Sequence, residues 1–369
     1  MDITATKMNI TPATYHKRLI DGQLMMSTII YGNPNAIRLA IACMLIGRAF
    51  MTTCDPGLGK TALALALQKF LRGARAHVLE CTAQMKPSDV IGQVIRDPDT
   101  GERKTDLGKA LQVEILLADE LSRATEDTQA VFLPLIDNHG AMVGDKFYPL
   151  PPTNFVCATR NYETDPGSRR LIGPLLSRMA AECEMLRPSK EEMKLLGRNT
   201  DVHRNIFNVE GCLDLEEVLL IRNYITNMVK TMPDPVQSYL CDLIIATDTR
   251  SPEVFQTIDF KLPELKGKAL RKLRFGQKRL TADQLKELPV TNIRQLDVMA
   301  RGVSMRSYIW QLHLACALAF MDGRDQADFG DIEQAWCAQT HQLLMRPVAR
   351  SYGIEPMHIL TAVLDSVDY

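Results

Sequence analysis

The chain has no long apolar run. Its most hydrophobic window, Leu39 to Gly47, is nine residues long and is bounded by Arg38 and Arg48, far short of the roughly 20 residues a membrane-spanning helix needs. No insertion into a bilayer is expected. The opening stretch MDITATKMNITPATYHKR also lacks the apolar centre of a secretory leader. Nine cysteines are scattered without a C-x-x-C pair, and an odd number cannot all pair within the chain. These absences point to a reducing cytoplasm. The seven histidines include no i,i+4 pair and no Cys/His cluster of zinc-site spacing, so no structural metal is expected. Nor is one sign of charge in excess. Forty-three Lys+Arg against 44 Asp+Glu leave a formal charge of −1, which argues against nucleic acid or an acidic membrane as the main partner.

What is present is an ordinary globular composition, 46% hydrophobic and 24% charged over 369 residues, enough for two domains. Thr11-Pro12 and Asn33-Pro34 each set a capping side chain before a proline, which predicts helix starts at 12 and 34. Short apolar runs follow at Ala49–Thr52, His77–Glu80, Val113–Ala118, Asn154–Ala158 and Ala180–Met185. Separated by helical or turn-rich stretches, they predict an α/β fold with a parallel five-stranded sheet. After Arg187-Pro188 helical periodicity takes over in Leu213–Met232, Val236–Thr247, Met305–Met321, Asp331–Met345 and Pro356–Val367, which predicts an all-helical lid. Between two of those helices, Lys266, Lys268, Arg271, Lys272, Arg274, Lys278 and Arg279 occur with no intervening acid, either a solvated face or a site for an acidic partner.

The strongest local signal is Cys54-Asp55-Pro56-Gly57-Leu58-Gly59-Lys60-Thr61, after a strand-like run and before the helical ALALALQKFL. Glycines let such a loop curl with its N–H groups inward around a phosphate, at the positive end of the following helix. The cradle runs from Asp55 through Pro56, Gly57, Leu58, Gly59, Lys60 and Thr61 to Ala62. Lys60 would reach the β- and γ-phosphates of ATP and Thr61 would hold Mg2+. The pattern departs at its first position, where Cys54 replaces glycine. Downstream, Ile115-Leu116-Leu117-Ala118-Asp119-Glu120 is a buried run ending in two acids, suited to Mg2+ (Asp119) and to activation of the attacking water (Glu120). Phe155-Val156-Cys157-Ala158-Thr159-Arg160-Asn161 ends in an amide that can orient that water.

The order of phosphate loop, LLADELSRA (116–124), FVCATRN (155–161) and RGVSMR (301–306), with PSDVIG (87–92), TQAVFLPLID (128–137) and GRDQADFGDIEQA (323–335), resembles the AAA+ ATPases, and within them the MoxR group of the helix-2-insert clade. The resemblance covers roughly 30–188 and 300–345. It implies an AAA+ P-loop NTPase core (31–188) and a helical lid (189–369); an expected N-terminal helical extension (1–30) and a basic insertion near 250–290 lie outside it. It also implies a homo-oligomeric ring, usually a hexamer, in which a neighbour's arginine completes each ATP site. That arginine falls on Arg178 of LIGPLLSRM, with Arg169 and Arg170 as competitors. Arg306 matches the second sensor, with Ser304 as helix cap. The stretches 92–108 and 139–151 resemble the helix-2 insert and the hairpin before the first sensor. The expected function is a remodelling or maturation chaperone working on a protein client, often beside a von Willebrand factor A domain protein. A nucleic-acid motor or loader is the alternative.

Overall fold

The structure, a computed structural model, describes residues 10–53, 55, 57–97, 101–162, 167–198, 211–248, 274–275, 278–279, 299–347, 349 and 354–367. Five strands form one parallel sheet: β1 (Phe50–Thr53), β2 (Ala76–Glu80), β3 (Ile115–Asp119), β4 (Phe155–Arg160) and β5 (Ala181–Glu184), in the order β5-β1-β4-β3-β2. Each overlaps an apolar run read from the sequence. β1, β3 and β4 are buried along almost their whole length, which is why they read as unbroken hydrophobic runs rather than alternating ones. Because all five run the same way, the segments leaving β1, β3 and β4 emerge side by side at one edge, the usual place for a ligand in such sheets.

Local chemistry fixes the entry to this sheet. Helix α1 (Pro12–Ser27) begins with a capping box, the Thr11 hydroxyl accepting from the Thr14 N–H and the Thr14 hydroxyl accepting from the Thr11 N–H. Helix α2 (Pro34–Ile46) starts where expected, but Asn33 does not cap it with its side chain. Its amide instead donates to the Tyr31 and Leu186 carbonyls and accepts from the Leu186 N–H at 2.7 Å. The residue that opens α2 thereby ties it to the chain leaving β5.

The stretches 92–108 and 139–151 are antiparallel hairpins, Gly92–Arg96 with Arg103–Leu107 and Gly140–Val143 with Lys146–Pro149. They pack on each other. The Tyr148 hydroxyl donates to the Thr105 hydroxyl at 3.2 Å, and Gly144 lies so close to Val94 that a Cβ would stand 2.6 Å from a Val94 methyl.

The chain divides into two compact units, Met1–Thr231 with His313–Ala327, and Met232–Leu312 with Asp328–Tyr369. The helix Leu215–Lys230 therefore belongs to the unit that holds the sheet, whereas the sequence reading grouped it with the lid. The region after 188 is mainly helical, with Asp234–Ile245, Met305–Met321, Phe329–Cys337 and Pro356–Leu364, but it is not all-helical. Leu213–Asp214 pairs with Leu71–Arg72, and Met299–Arg301 pairs with Leu344–Met345. The helix expected over 331–345 stops at Cys337. Beyond it the buried amides of Gln339 and Gln342 turn to accept from the hydroxyls of Ser307 and Ser304, and the chain becomes a 3-10 turn and a short strand.

In the second unit Trp336 is fully buried and donates to the Leu360 carbonyl at 3.0 Å. Gly302 lies flat on Thr247, where a Cβ would meet the Thr247 carbonyl oxygen at 1.9 Å. Of the basic run at 266–279, a backbone ladder of Arg274–Phe275 with Lys278–Arg279 is described. Lys266, Lys268, Arg271 and Lys272 lie outside the described residues. Among the described residues no helix is long and apolar enough to cross a membrane.

Candidate nucleotide site

β1 ends at Thr53 and helix α3 (Lys60–Phe70) begins seven residues on. Gly57 and Gly59 hold φ of +84° and +90°, a region other residues enter only at a cost, and a Cβ on Gly57 would meet nothing. The turn therefore curls freely in front of the first turn of α3, whose unpaired N–H groups favour an anion. Asp55 is held by Arg187 at 2.9 Å. Leu58 and Ala62 are half-buried. Cys54 and Pro56 lie outside the described residues.

Lys60 is the informative residue. It is 7% exposed, and among the described residues its ammonium donates to the neutral side-chain oxygen of Asn161. A buried cation without a charged partner costs several kcal/mol, so the position is suited to an anion that the chain does not itself supply. Beside it, the Thr61 hydroxyl donates to Asp119 Oδ2 at 3.3 Å. A hydroxyl and a carboxylate oxygen presented together at a phosphate loop are the donor set Mg2+ accepts with nucleotide. The residues present therefore fit a magnesium-bound triphosphate.

Asp119 and Glu120 follow β3. Glu120 adopts left-handed backbone, φ +53°, unusual outside glycine and costly by about 1–2 kcal/mol. Thr159, at the end of β4, holds the kink. Its hydroxyl donates to Asp119 Oδ1 at 2.5 Å and accepts from the Glu120 N–H at 2.8 Å. Asn161, two residues on and so on the same face of the strand, donates to Glu120 Oε1 at 3.0 Å. Arg123 donates to Glu120 Oε2 at 2.8 Å. Arg160, between them in sequence, points the other way, into Glu182 and Thr53.

Two thiols border this edge. Burial pushes Cys81 up to about 12, helped by Asp119 and Glu120, and burial with Asp119 does the same to Cys157. Both are neutral thiols near neutral pH, which gives them no role as nucleophiles.

The structure thus brings Lys60, Thr61, Asp119, Glu120 and Asn161 together. It does not join Arg178 to them. That guanidinium is paired with Asp137 at 2.6 Å and donates to the Pro174 carbonyl at 2.8 Å. Arg169 and Arg170 are exposed. Arg306 belongs to the second unit, exposed in the first turn of the helix Met305–Met321. The Ser304 hydroxyl, expected to cap that helix, donates to Gln342 at 3.0 Å. Thr159 and Arg123 were not singled out from sequence. Only the two-residue spacing from Asn161 could have flagged Thr159, and nothing in composition flags Arg123.

Residues 50–180 match the profile of the ATPase family associated with various cellular activities (AAA). The chain is similar to YeaC of Bacillus subtilis, an uncharacterized protein, at 23% identity over 93% of this chain and 92% of that one. It is also similar to chaperone MoxR1 of Mycobacterium tuberculosis, at 26% over 52% of this chain and 51% of that one, so that alignment spans about half of each protein. Among solved structures, a Cytophaga hutchinsonii protein to which ATPase activity is ascribed shares the fold, with a TM-score of 0.75, 22% identity and coverage of 97% and 96%.

Proposed function

The chain belongs to the AAA ATPases of the MoxR type, and on this premise we propose that it hydrolyses ATP to remodel or mature a protein client. The observation that carries the reading is the buried Lys60 ammonium, set against a neutral amide beside the Asp119 and Glu120 carboxylates. The loop N–H groups and Lys60 bind the phosphates, and Thr61 with Asp119 holds Mg2+. That ion, when bound, draws charge from the phosphate oxygens. Glu120 takes the proton of the attacking water, and Asn161 orients the water against the γ-phosphate.

The protein works, on this reading, as a cytoplasmic ring, usually of six copies, in which a neighbour's arginine completes each site. Such an arginine is worth about 10³–10⁵ in rate, or roughly 4–7 kcal/mol, so an isolated copy is nearly inactive. If Arg178 is that arginine, it must leave Asp137 to reach the neighbour. Arg169 and Arg170 carry no such restraint among the described contacts. Arg306 couples cleavage to movement of the helical lid, and a von Willebrand factor A domain protein serves as adaptor.

ATPase rate measured against protein concentration tests this. Specific activity should climb with concentration in the parent chain and collapse in Glu120→Gln and Arg178→Ala. Equal activity in all three would refute it. The basic run at 266–279 favours a second reading, a nucleic-acid motor. Oligonucleotide binding that falls steeply with salt and vanishes when Lys266 to Arg279 are neutralised would support that reading instead.

A further inference from the structure

We propose that Arg123 is a positioning residue for ATP hydrolysis, fixing the carboxylate of Glu120 from the side opposite Asn161. The inference rests on the ATPase reading and adds to it a residue that reading does not use.

Glu120 is followed by the 3-10 turn Leu121–Arg123, whose closing bond runs from the Arg123 N–H to the Glu120 carbonyl at 2.8 Å. Left-handed backbone at Glu120 and this tight turn bring the guanidinium back over the acid that precedes it by three residues. Arg123 Nε then meets Oε2 at 2.8 Å while Asn161 Nδ2 meets Oε1 at 3.0 Å. Among the described residues each carboxylate oxygen has one donor, and the two come from different elements. The plane of the carboxylate is thereby set, and each oxygen keeps a lone pair for a water.

The pair has little to offer stability. The Arg123 side chain is 46% exposed, and ion pairs that open to solvent contribute little to folding. Its position at the acid of the reaction is another matter. A glutamate free to rotate must be ordered at each turnover, and displacement of a reacting group by about 1 Å can cost 10²-fold in rate.

The test is steady-state hydrolysis by the full chain. Arg123→Ala should lower kcat about tenfold with KM for ATP and the thermal midpoint little changed, as expected for an interaction made only in the transition state. Arg123→Lys should recover part of the loss. In a Glu120→Gln background, followed by single-turnover phosphate release, Arg123→Ala should cost nothing further, because the base it positions is gone. An unchanged kcat in Arg123→Ala, or the same tenfold loss in both backgrounds, would overturn the proposal while leaving the ATPase reading intact. A parent chain no faster than Lys60→Ala would overturn both.

Discussion

Replacing Thr159 by valine keeps the shape of the side chain and removes both of its hydrogen bonds. One, to Asp119 Oδ1 at 2.5 Å, has a charged acceptor and is worth about 1.5–3 kcal/mol. The other, from the Glu120 N–H at 2.8 Å, is worth about 0.5–1.5 kcal/mol. Thr159 is fully buried, so water cannot replace the hydroxyl on that side, and a total loss of about 2–4 kcal/mol follows. For a domain of this size the thermal midpoint should fall by roughly 5–15 °C. The functional effect should be larger than the loss of folded protein. Without the hydroxyl, the Glu120 N–H loses its partner, and relaxation away from φ +53°, favoured by about 1–2 kcal/mol, pulls the carboxylate against its bonds to Asn161 and Arg123. The assay pairs nucleotide-free thermal unfolding with ATPase measurements well below the new midpoint. Turnover should drop by about 10- to 100-fold, the Mg2+ concentration for half-maximal rate should rise because Asp119 keeps only its longer bond from Thr61, and Thr159→Ser should restore both. A valine variant with parental midpoint and parental turnover would refute the reasoning.

Gly302→Ala should unfold the second unit at lower temperature, by about 3 kcal/mol or more, since its Cβ would stand 1.9 Å from a backbone oxygen that cannot move aside alone; an unshifted melt would show that the contact is not required. If the completing arginine comes from a neighbour, mixing Lys60→Ala with Arg178→Ala should restore up to about a quarter of parental turnover from two inactive stocks, because random head-to-tail assembly leaves one interface in four intact. A mixture as inactive as its parts, with Arg169→Ala or Arg170→Ala complementing instead, would move the role to those residues. Glu114 should contribute to acid sensitivity. Burial pushes its carboxyl up, but three bonds from Arg75, at 2.7, 2.8 and 3.1 Å, outweigh this and leave it below the ordinary value of 4.5. Its contribution is therefore present above pH 4.5 and is lost as pH falls through the lower folded value. The midpoint of Glu114→Gln should lie below the parent's at pH 7 and converge with it below pH 4.5, as followed by thermal melts across that range.

How much of this could be read beforehand depended on whether a residue's role was local. The phosphate loop was legible because glycines, lysine and threonine act within one turn, and β1, β3 and β4 were legible because strands covered on both faces become plain apolar runs. Thr11 was legible as a cap for the same reason. Asn33 was not, because its partner Leu186 is 153 residues away and an asparagine before proline looks the same whether it caps a helix or ties two segments. Thr159 was hidden by the strand that carries it. In a run buried on both faces nothing in the alternation distinguishes a hydroxyl that works from one that merely fits. The helix expected over 331–345 failed where inward-turned glutamines, which fit helical periodicity well, instead accepted from the hydroxyls of buried Ser307 and half-buried Ser304.

The two hairpins, separated by more than thirty residues of chain, are seated on each other through Tyr148, Thr105, Val94 and the bare face of Gly144. Moving one hairpin must break these contacts or carry the other along, so together they form a lever rooted in the chain on each side of β3. A bulkier residue at Gly144 would prise the lever apart at Val94 without altering Lys60, Thr61, Asp119, Glu120 or Asn161.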